Sequence, residues 1–252
     1  SILYELYKPI DAPILVTDIE SAEIIKHASN SFLATKISFI NAISILCERA
    51  GADVKKVAEG MGLDKRIGSD FLNAGAGFGG FCFPKDLSAF IKIAEDLGYD
   101  FRLLREVEQI NEEQKKGIVK KIRENLWNLR GKTIGILGLS FKPNTDDIRY
   151  APSIDIIGEL IKEGVRIKAY DPKAMERTKK IFPNITYCKD AYEVCDGSDA
   201  LVFLTEWDEF KNLDIKKVKD LLKTPIIVDG RNIFDPETLK EIGFVYTGVG
   251  RK

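Results

Sequence analysis

The chain changes character once, at Leu129-Arg130-Gly131, and that change constrains the fold more than any other feature. Before it, apolar residues recur at helical spacing and no strand-type run appears. After it, short apolar runs alternate with helical segments. Lys132 to Leu139 reads as a strand, followed by a helix over 152–163 and a strand over 165–170 that ends at Asp171-Pro172. Further strands are expected at 185–187, 200–204, 225–229 and 243–246, with helical segments between them. Strands that alternate with helices build a parallel sheet. The expected architecture is therefore α/β: an all-helical central domain over 16–128, then a parallel α/β domain over 129–252.

In the helical half, Thr17-Asp18-Ile19-Glu20 has the pattern of a capping box. It starts a helix that runs to about Ala50 and stops at Gly51. A helix of ~30 residues is ~45 Å long and crosses a whole domain. Shorter helices are expected near 52–60, 67–73 and 84–97. Another spans 101–128, with Leu103, Val107, Ile110, Ile118 and Ile122 at helical spacing. Residues 1–15 read as the end of a helix and a linker, so a preceding segment is expected.

The 252 residues suffice for one large domain or two ordinary ones. With a net charge of −1 and no basic run, neither nucleic acid nor a membrane surface is expected as partner. No uninterrupted apolar run reaches the ~18 residues of a membrane span, and no signal peptide is evident. The cytoplasm is the expected location. The four cysteines, Cys47, Cys82, Cys188 and Cys195, lack the spacing of a zinc site or a disulfide scaffold. With His27 the single histidine, no metal centre and no Ser-His-Asp triad is expected.

Residues 75–86 read Gly-Ala-Gly-Phe-Gly-Gly-Phe-Cys-Phe-Pro-Lys-Asp. A glycine-packed loop delivers Cys82 to the mouth of a helix, with Pro84 suited to its first position. The positive helix end and Lys85, three residues on, favour a reactive sulfur. The competing reading is a buried structural cysteine. Cys82, Lys85 and Asp86 share the first helical turn and make a plausible covalent site, although Asp86 alone also suits a dipole-favoured acid. On the long helix, Lys26 and Asn30 share a face, with Asn41 near it; they either join that site or border solvent.

The second half resembles a dinucleotide fold in part. Gly135 and Gly138 follow a strand, and Asp171 ends the next one. The G-x-G-x-x-G fingerprint is absent, and a long loop over 139–151 stands where its tight turn belongs. NAD is not assigned to this half. The loop carries Lys142 and Arg149, and Asp229-Gly230-Arg231-Asn232 follows a later strand. Both loops fall at the carboxyl ends of strands, where such sheets bind ligands. There Lys142 and Arg231 either clamp a diphosphate or stay solvated.

Together these segments resemble the UDP-glucose 6-dehydrogenase family of nucleotide-sugar dehydrogenases, from about Val16 to Arg251. The matching runs are Ser21 to Lys36, Arg66 to Leu72, the cysteine loop, Gly138 to Arg149, Tyr170 to Pro172 and Asp229 to Asn232. The resemblance implies a central helical domain that dimerises through the long helix and a Rossmann-like domain that binds UDP. It also implies an N-terminal NAD-binding domain outside this sequence, without which the chain alone is expected to be inactive. Implied for catalysis are Cys82 as nucleophile, Lys26 as the cation facing the developing alkoxide, Asn30 as its partner and Asp86 as the acid that positions water. Implied around the UDP-sugar are Phe71, Phe78, Gly79, Phe141, Lys142 and Arg231, with Arg66 reaching the other subunit of a homodimer. Lys85 and Arg149 match positions that reach the NAD pyrophosphate. Phe81 departs from the family's usual Ser, Ala42 and Tyr150 each from Glu, and His27 from Tyr. The implied reaction is the two-step oxidation of UDP-glucose to UDP-glucuronate through a cysteine thiohemiacetal and thioester. The alternatives are oxidation of GDP-mannose or UDP-N-acetylmannosamine, or a non-redox module that binds nucleotide sugars and dimerises.

Overall fold

The computed structural model describes residues 2–251. In the first half α1 (Ile2–Tyr7) is followed by α2 (Ile19–Ala50), α3 (Val54–Gly62), α4 (Cys82–Asp96) and α5 (Arg102–Leu126). The second half runs β1 (Thr133–Leu137), α6 (Pro152–Lys162), β2 (Arg166–Tyr170), α7 (Met175–Lys179), β3 (Thr186–Tyr187) and α8 (Ala191–Cys195). It continues through β4 (Ala200–Phe203), α9 (Asp208–Lys211), α10 (Ile215–Leu221), β5 (Ile226–Asp229), α11 (Pro236–Ile242) and β6 (Val245–Gly248).

Helix α2 begins one residue later than the capping-box reading placed it. Its cap is Asp18, whose carboxylate accepts from the Ser21 N–H at 2.7 Å; Gly51, at φ 75°, ends the helix. The helix is inside out for a surface element. Its buried face carries Ser31, Ala34, Ser38, Ile40, Asn41, Ser44 and Cys47, packed on α4 and α5. Ile25, Phe32, Phe39 and Leu46 recur every seventh residue and are 46 %, 65 %, 49 % and 59 % exposed. By length and composition α2 suffices to cross a membrane, although polar residues interrupt its apolar runs and its buried face packs on α4 and α5.

Along α5 the inward set is Leu104, Val107, Asn111, Gln114, Lys115, Ile118, Val119 and Ile122. Leu103, expected on this face, is exposed. No helix forms over 67–73. Gly68 and Phe71 sit at φ 69° and 64°, a left-handed conformation that interrupts any right-handed turn.

All six expected strands form and pair in parallel, in the order β3-β2-β1-β4-β5-β6. Strands β1, β4 and β5 are buried at every position, as in a sheet covered by helices on both faces. The strand order reverses between β1 and β4, and loops after β1, β4 and β5 line the crevice there.

Asp171, just past β2, is wholly buried. One of its oxygens accepts from Leu139 N at 2.7 Å and from Ser140 N, Ser140 Oγ and Trp207 Nε1 at 3.1 Å each. The other accepts from Lys173 N at 2.9 Å and Ala174 N at 2.8 Å. The carboxylate therefore ties together the loops after β1, β2 and β4. An acid that ends the second strand of a dinucleotide fold reaches a ribose; this one is sealed into the frame.

Candidate active site

The glycine loop is fastened from both domains. From the helices, Asn41 Oδ1 accepts from Gly75 N at 2.9 Å and Gln114 Nε2 donates to Gly75 O at 2.9 Å. Asn111 accepts from Phe78 N at 2.8 Å and donates to Phe78 O at 3.1 Å. From the sheet side, Gly230 O accepts from Ala76 N at 2.7 Å, and Asn232 Nδ2 donates to Ala74 O at 3.4 Å. Gly80 N donates to Arg149 O at 2.9 Å. A side chain at Gly80 would lie 2.7 Å from the Phe141 ring, and one at Gly79 would strike the Tyr150 carbonyl. Close backbone approach is the reason for both glycines.

This loop feeds α4, which starts at Cys82 itself, two residues before Pro84. A proline in the third position still costs no hydrogen bond, because the first four N–H groups of a helix have no internal partner. Cys82 is exposed, which removes the buried-cysteine reading. The other three are buried; burial pushes the Cys188 thiol up to about 11 and the Cys195 thiol up to about 12.

One turn on, Asp86 is 2 % exposed and gathers three donors. Its Oδ2 accepts from Asn30 Nδ2 at 2.5 Å and lies 3.3 Å from Lys26 Nζ; its Oδ1 lies 2.7 Å from Lys85 Nζ. Burial alone pushes the carboxyl up, but hydrogen bonds from Lys85, Asn30 and Lys26 outweigh it and hold the group down at about 2. Asp86 is therefore a carboxylate at any physiological pH. It orients the lysine and asparagine of α2 toward the start of α4. Because its folded pKa is depressed, its stabilisation is full above the unfolded carboxylate value and is lost as pH falls through about 2. Between pH 5 and 2, chemical denaturation of the protein is expected to lose about 2 kcal/mol relative to Asp86→Asn. Parallel acid profiles would rule out this ionic contribution.

Beside this cluster lies a cavity of about 600 Å³ lined by Phe71, Phe78, Gly79, Phe83, Phe141, Lys142 and Arg231. The Phe83 ring meets Phe71 and Phe78 edge-on, with centroids 6.1 and 6.0 Å away. Cys82, Asp86, Lys26 and Asn30 lie outside the wall of this cavity; Phe83, next to Cys82 in the chain, connects the two. Arg231 is more constrained than a free diphosphate clamp. Its Nε donates to Leu204 O at 2.8 Å and lies 3.3 Å from Glu206 Oε2, while Nη1 donates to Gly77 O at 3.3 Å. A second cavity of about 650 Å³ adjoins the first and shares Ser69, Asn73, Glu206 and Arg231 with it.

Arg149 is held by Asp147, Nη2 to Oδ2 at 2.7 Å, with its guanidinium carbon 4.5 Å from the Phe81 ring centre. Arg66 is not brought to this crevice. It is turned back on Asp64 at 2.6 Å, with its side chain 89 % exposed. Asn111, Gln114 and Glu206 belong to none of the sequence motifs, and Asn232 belongs to one without its role being evident. For the first two a signal existed: polar residues in register with Leu104, Val107 and Ile118 on the buried face of α5.

Comparison with known proteins adds to this geometry. Residues 20–113 match the central domain of the UDP-glucose/GDP-mannose dehydrogenase family, and residues 135–236 match the UDP binding domain of the same family. The chain belongs to that family. Over 252 residues it is 50 % identical to the UDP-glucose 6-dehydrogenase TuaD of Bacillus subtilis (strain 168), covering 100 % of this chain and 55 % of TuaD. Its fold matches a UDP-glucose dehydrogenase from the hyperthermophilic archaeon Pyrobaculum islandicum with TM-score 0.91 and 38 % identity, over 100 % of this chain and 56 % of that one. A UDP-D-ManNAc dehydrogenase from Pyrococcus horikoshii matches with TM-score 0.83 and 26 % identity, over 99 % and 57 %. The chain thus spans little more than half the length of these relatives. Within the UDP-glucose/GDP-mannose dehydrogenase family, the crevice after β1, β4 and β5 belongs to the UDP binding domain, and the cysteine loop to the central one.

Proposed function

We propose that this chain supplies the nucleotide-sugar half of a UDP-glucose 6-dehydrogenase and that Cys82 is its nucleophile. The observation that carries the reading is an exposed cysteine at a helix start, one turn from a buried carboxylate that holds Lys26 and Asn30. Similarity at 50 % identity to a UDP-glucose 6-dehydrogenase favours UDP-glucose over GDP-mannose or UDP-N-acetylmannosamine.

The chemistry explains why these side chains are needed. Two NAD molecules, bound one after the other, would each supply the acceptor for one hydride. Lys85 and Arg149, two half-exposed cations that share one ring beside Cys82, suit the NAD pyrophosphate. At the sugar, the primary alcohol loses its proton and a hydride from C6 to become an aldehyde, and the Lys26 ammonium offsets the charge that develops on oxygen. The trigonal aldehyde is poorly set to lose a second hydride. Addition of the Cys82 sulfur to that carbon makes a tetrahedral thiohemiacetal that loses it and becomes a thioester. Water oriented by the Asp86 carboxylate attacks the thioester, the carbon–sulfur bond breaks, and carboxylate and free cysteine are released. Phe71, Phe78, Gly79, Phe141, Lys142 and Arg231 surround the nucleotide sugar.

Calorimetric titration of this chain is expected to show saturable binding of UDP-glucose in preference to GDP-mannose and UDP-N-acetylmannosamine. Arg231→Ala is expected to weaken UDP-glucose binding by about tenfold or more. Equal affinity for GDP-mannose, or no binding, would contradict the reading.

The same reading makes α2 a dimer seam. The exposed stripe Ile25, Phe32, Phe39 and Leu46 has the seven-residue spacing of a helix that packs on another helix. Arg66, free of its own crevice, is then available to the partner. Light scattering at micromolar concentration is expected to give twice the monomer mass, and Phe32→Glu to halve it. The buried thiols and exposed Cys82 suit the reducing cytoplasm.

A further inference from the structure

Phe81 is a large apolar side chain left 41 % exposed directly before Cys82. Its ring is not idle. Lys85 Nζ lies 5.3 Å and the Arg149 guanidinium carbon 4.5 Å from the ring centre, both within cation–π range. The two cations come from different domains, Lys85 from α4 and Arg149 from the loop after β1. Each also holds a carboxylate: Lys85 that of Asp86 at 2.7 Å, and Arg149 that of Asp147 at 2.7 Å. Asp86 first, and Cys82 to a smaller degree, raise the pKa of Lys85; Asp147 first, and Cys82 to a smaller degree, raise that of Arg149. Both cations therefore lie near enough to Cys82 to interact with a negative charge placed there. The hydrogen bond from Gly80 N to Arg149 O fixes the backbone on which this arrangement stands.

We propose that Phe81 is a positioning residue whose ring gathers Lys85 and Arg149 into a cationic pair beside Cys82, drawing negatively charged reactants to the sulfur. The proposal rests on Cys82 being the reactive group of this site. An aromatic face holds a cation without neutralising it; Asp86 and Asp147 offset part of the charge of Lys85 and Arg149, and the remainder attracts an anion such as a phosphate-bearing ligand. A small residue at this position would leave both side chains to their carboxylates and to solvent.

The test needs no turnover. Cys82 of the intact chain is alkylated with iodoacetate, an anion, and with iodoacetamide, its neutral analogue. In each case a sulfur–carbon bond forms as iodide leaves, and peptide mass identifies the labelled cysteine. The ratio of the two rates cancels the intrinsic reactivity of the sulfur. In Phe81→Ala the iodoacetate-to-iodoacetamide ratio is expected to fall about threefold to tenfold, the scale of a charge displaced from a few ångström at a protein surface. Arg149→Gln is expected to lower it similarly, Phe81→Tyr to preserve it, and added salt to lower it in the parent and Phe81→Tyr alone. A merely structural role for Phe81 would change both rates together and leave the ratio unmoved, which would overturn the proposal alone. A Cys82 that reacts with neither reagent would overturn both the proposal and the nucleophile assignment.

Discussion

Replacing Cys82 by serine is expected to stop formation of the carboxylate while leaving nucleotide-sugar binding in place. On the proposed reading, the assay joins this chain to a nicotinamide-binding domain. The first oxidation asks nothing of the sulfur, whereas the second asks for a tetrahedral carbon that only an added nucleophile supplies. The sulfur is exposed at the first residue of α4 and forms no disulfide. Turnover to acid is therefore expected to fall by about 10⁴-fold or more, the scale on which loss of a covalent nucleophile acts. Calorimetry with UDP-glucose is expected to be unchanged within about twofold. Lost binding together with lost turnover would show that Cys82 shapes the site instead of reacting in it.

Asp171→Ala is expected to produce the largest loss of stability. Six donors converge on this wholly buried carboxylate, four of them backbone N–H groups from the loops after β1 and β2. Removal leaves these donors buried without their carboxylate partner. At about 1–3 kcal/mol for each orphaned group, a loss of about 4 kcal/mol or more is expected in urea unfolding. Asn keeps the shape but turns a donor toward donors, so it is expected to recover only part of the loss. A ribose-binding role would predict the opposite pattern: unchanged unfolding with weakened dinucleotide binding.

Much of this was legible in the sequence because it is written in local patterns. All six strands were, since β1, β4 and β5 are short apolar runs bounded by turn residues and buried on both faces. So was the cysteine loop, where glycines crowd in front of a proline-bearing helix start. The errors arose where long-range packing or a single backbone angle decides. Phe71 is compatible with a helical pattern until its left-handed φ is known. The cap moved from Thr17 to Asp18 because a carboxylate reaches Ser21 N, which spacing alone does not resolve. Asp171 reads like a ribose acid from its place after a strand, but its donors arrive from Leu139, Ser140 and Trp207. On α2, residue type does not tell the inward face from the outward one. Ile24, Phe32 and Phe39 turn outward, and serines and Asn41 turn in. In the site, Cys82, Asp86, Lys26 and Asn30 belong to motifs, but Asn111 and Gln114 act on a loop more than thirty residues away in sequence.

The most direct test of the central claim is to catch the sulfur in the act. The chain, joined to a nicotinamide-binding domain, is mixed with UDP-glucose and NAD, quenched in acid during turnover and digested for peptide mass spectrometry. The account predicts a sugar-nucleotide acyl adduct on the Cys82 peptide, lost on treatment with hydroxylamine and absent from Cys82→Ser. Turnover to the carboxylate with no adduct on Cys82 at any quench time, or an adduct on another residue, would contradict it.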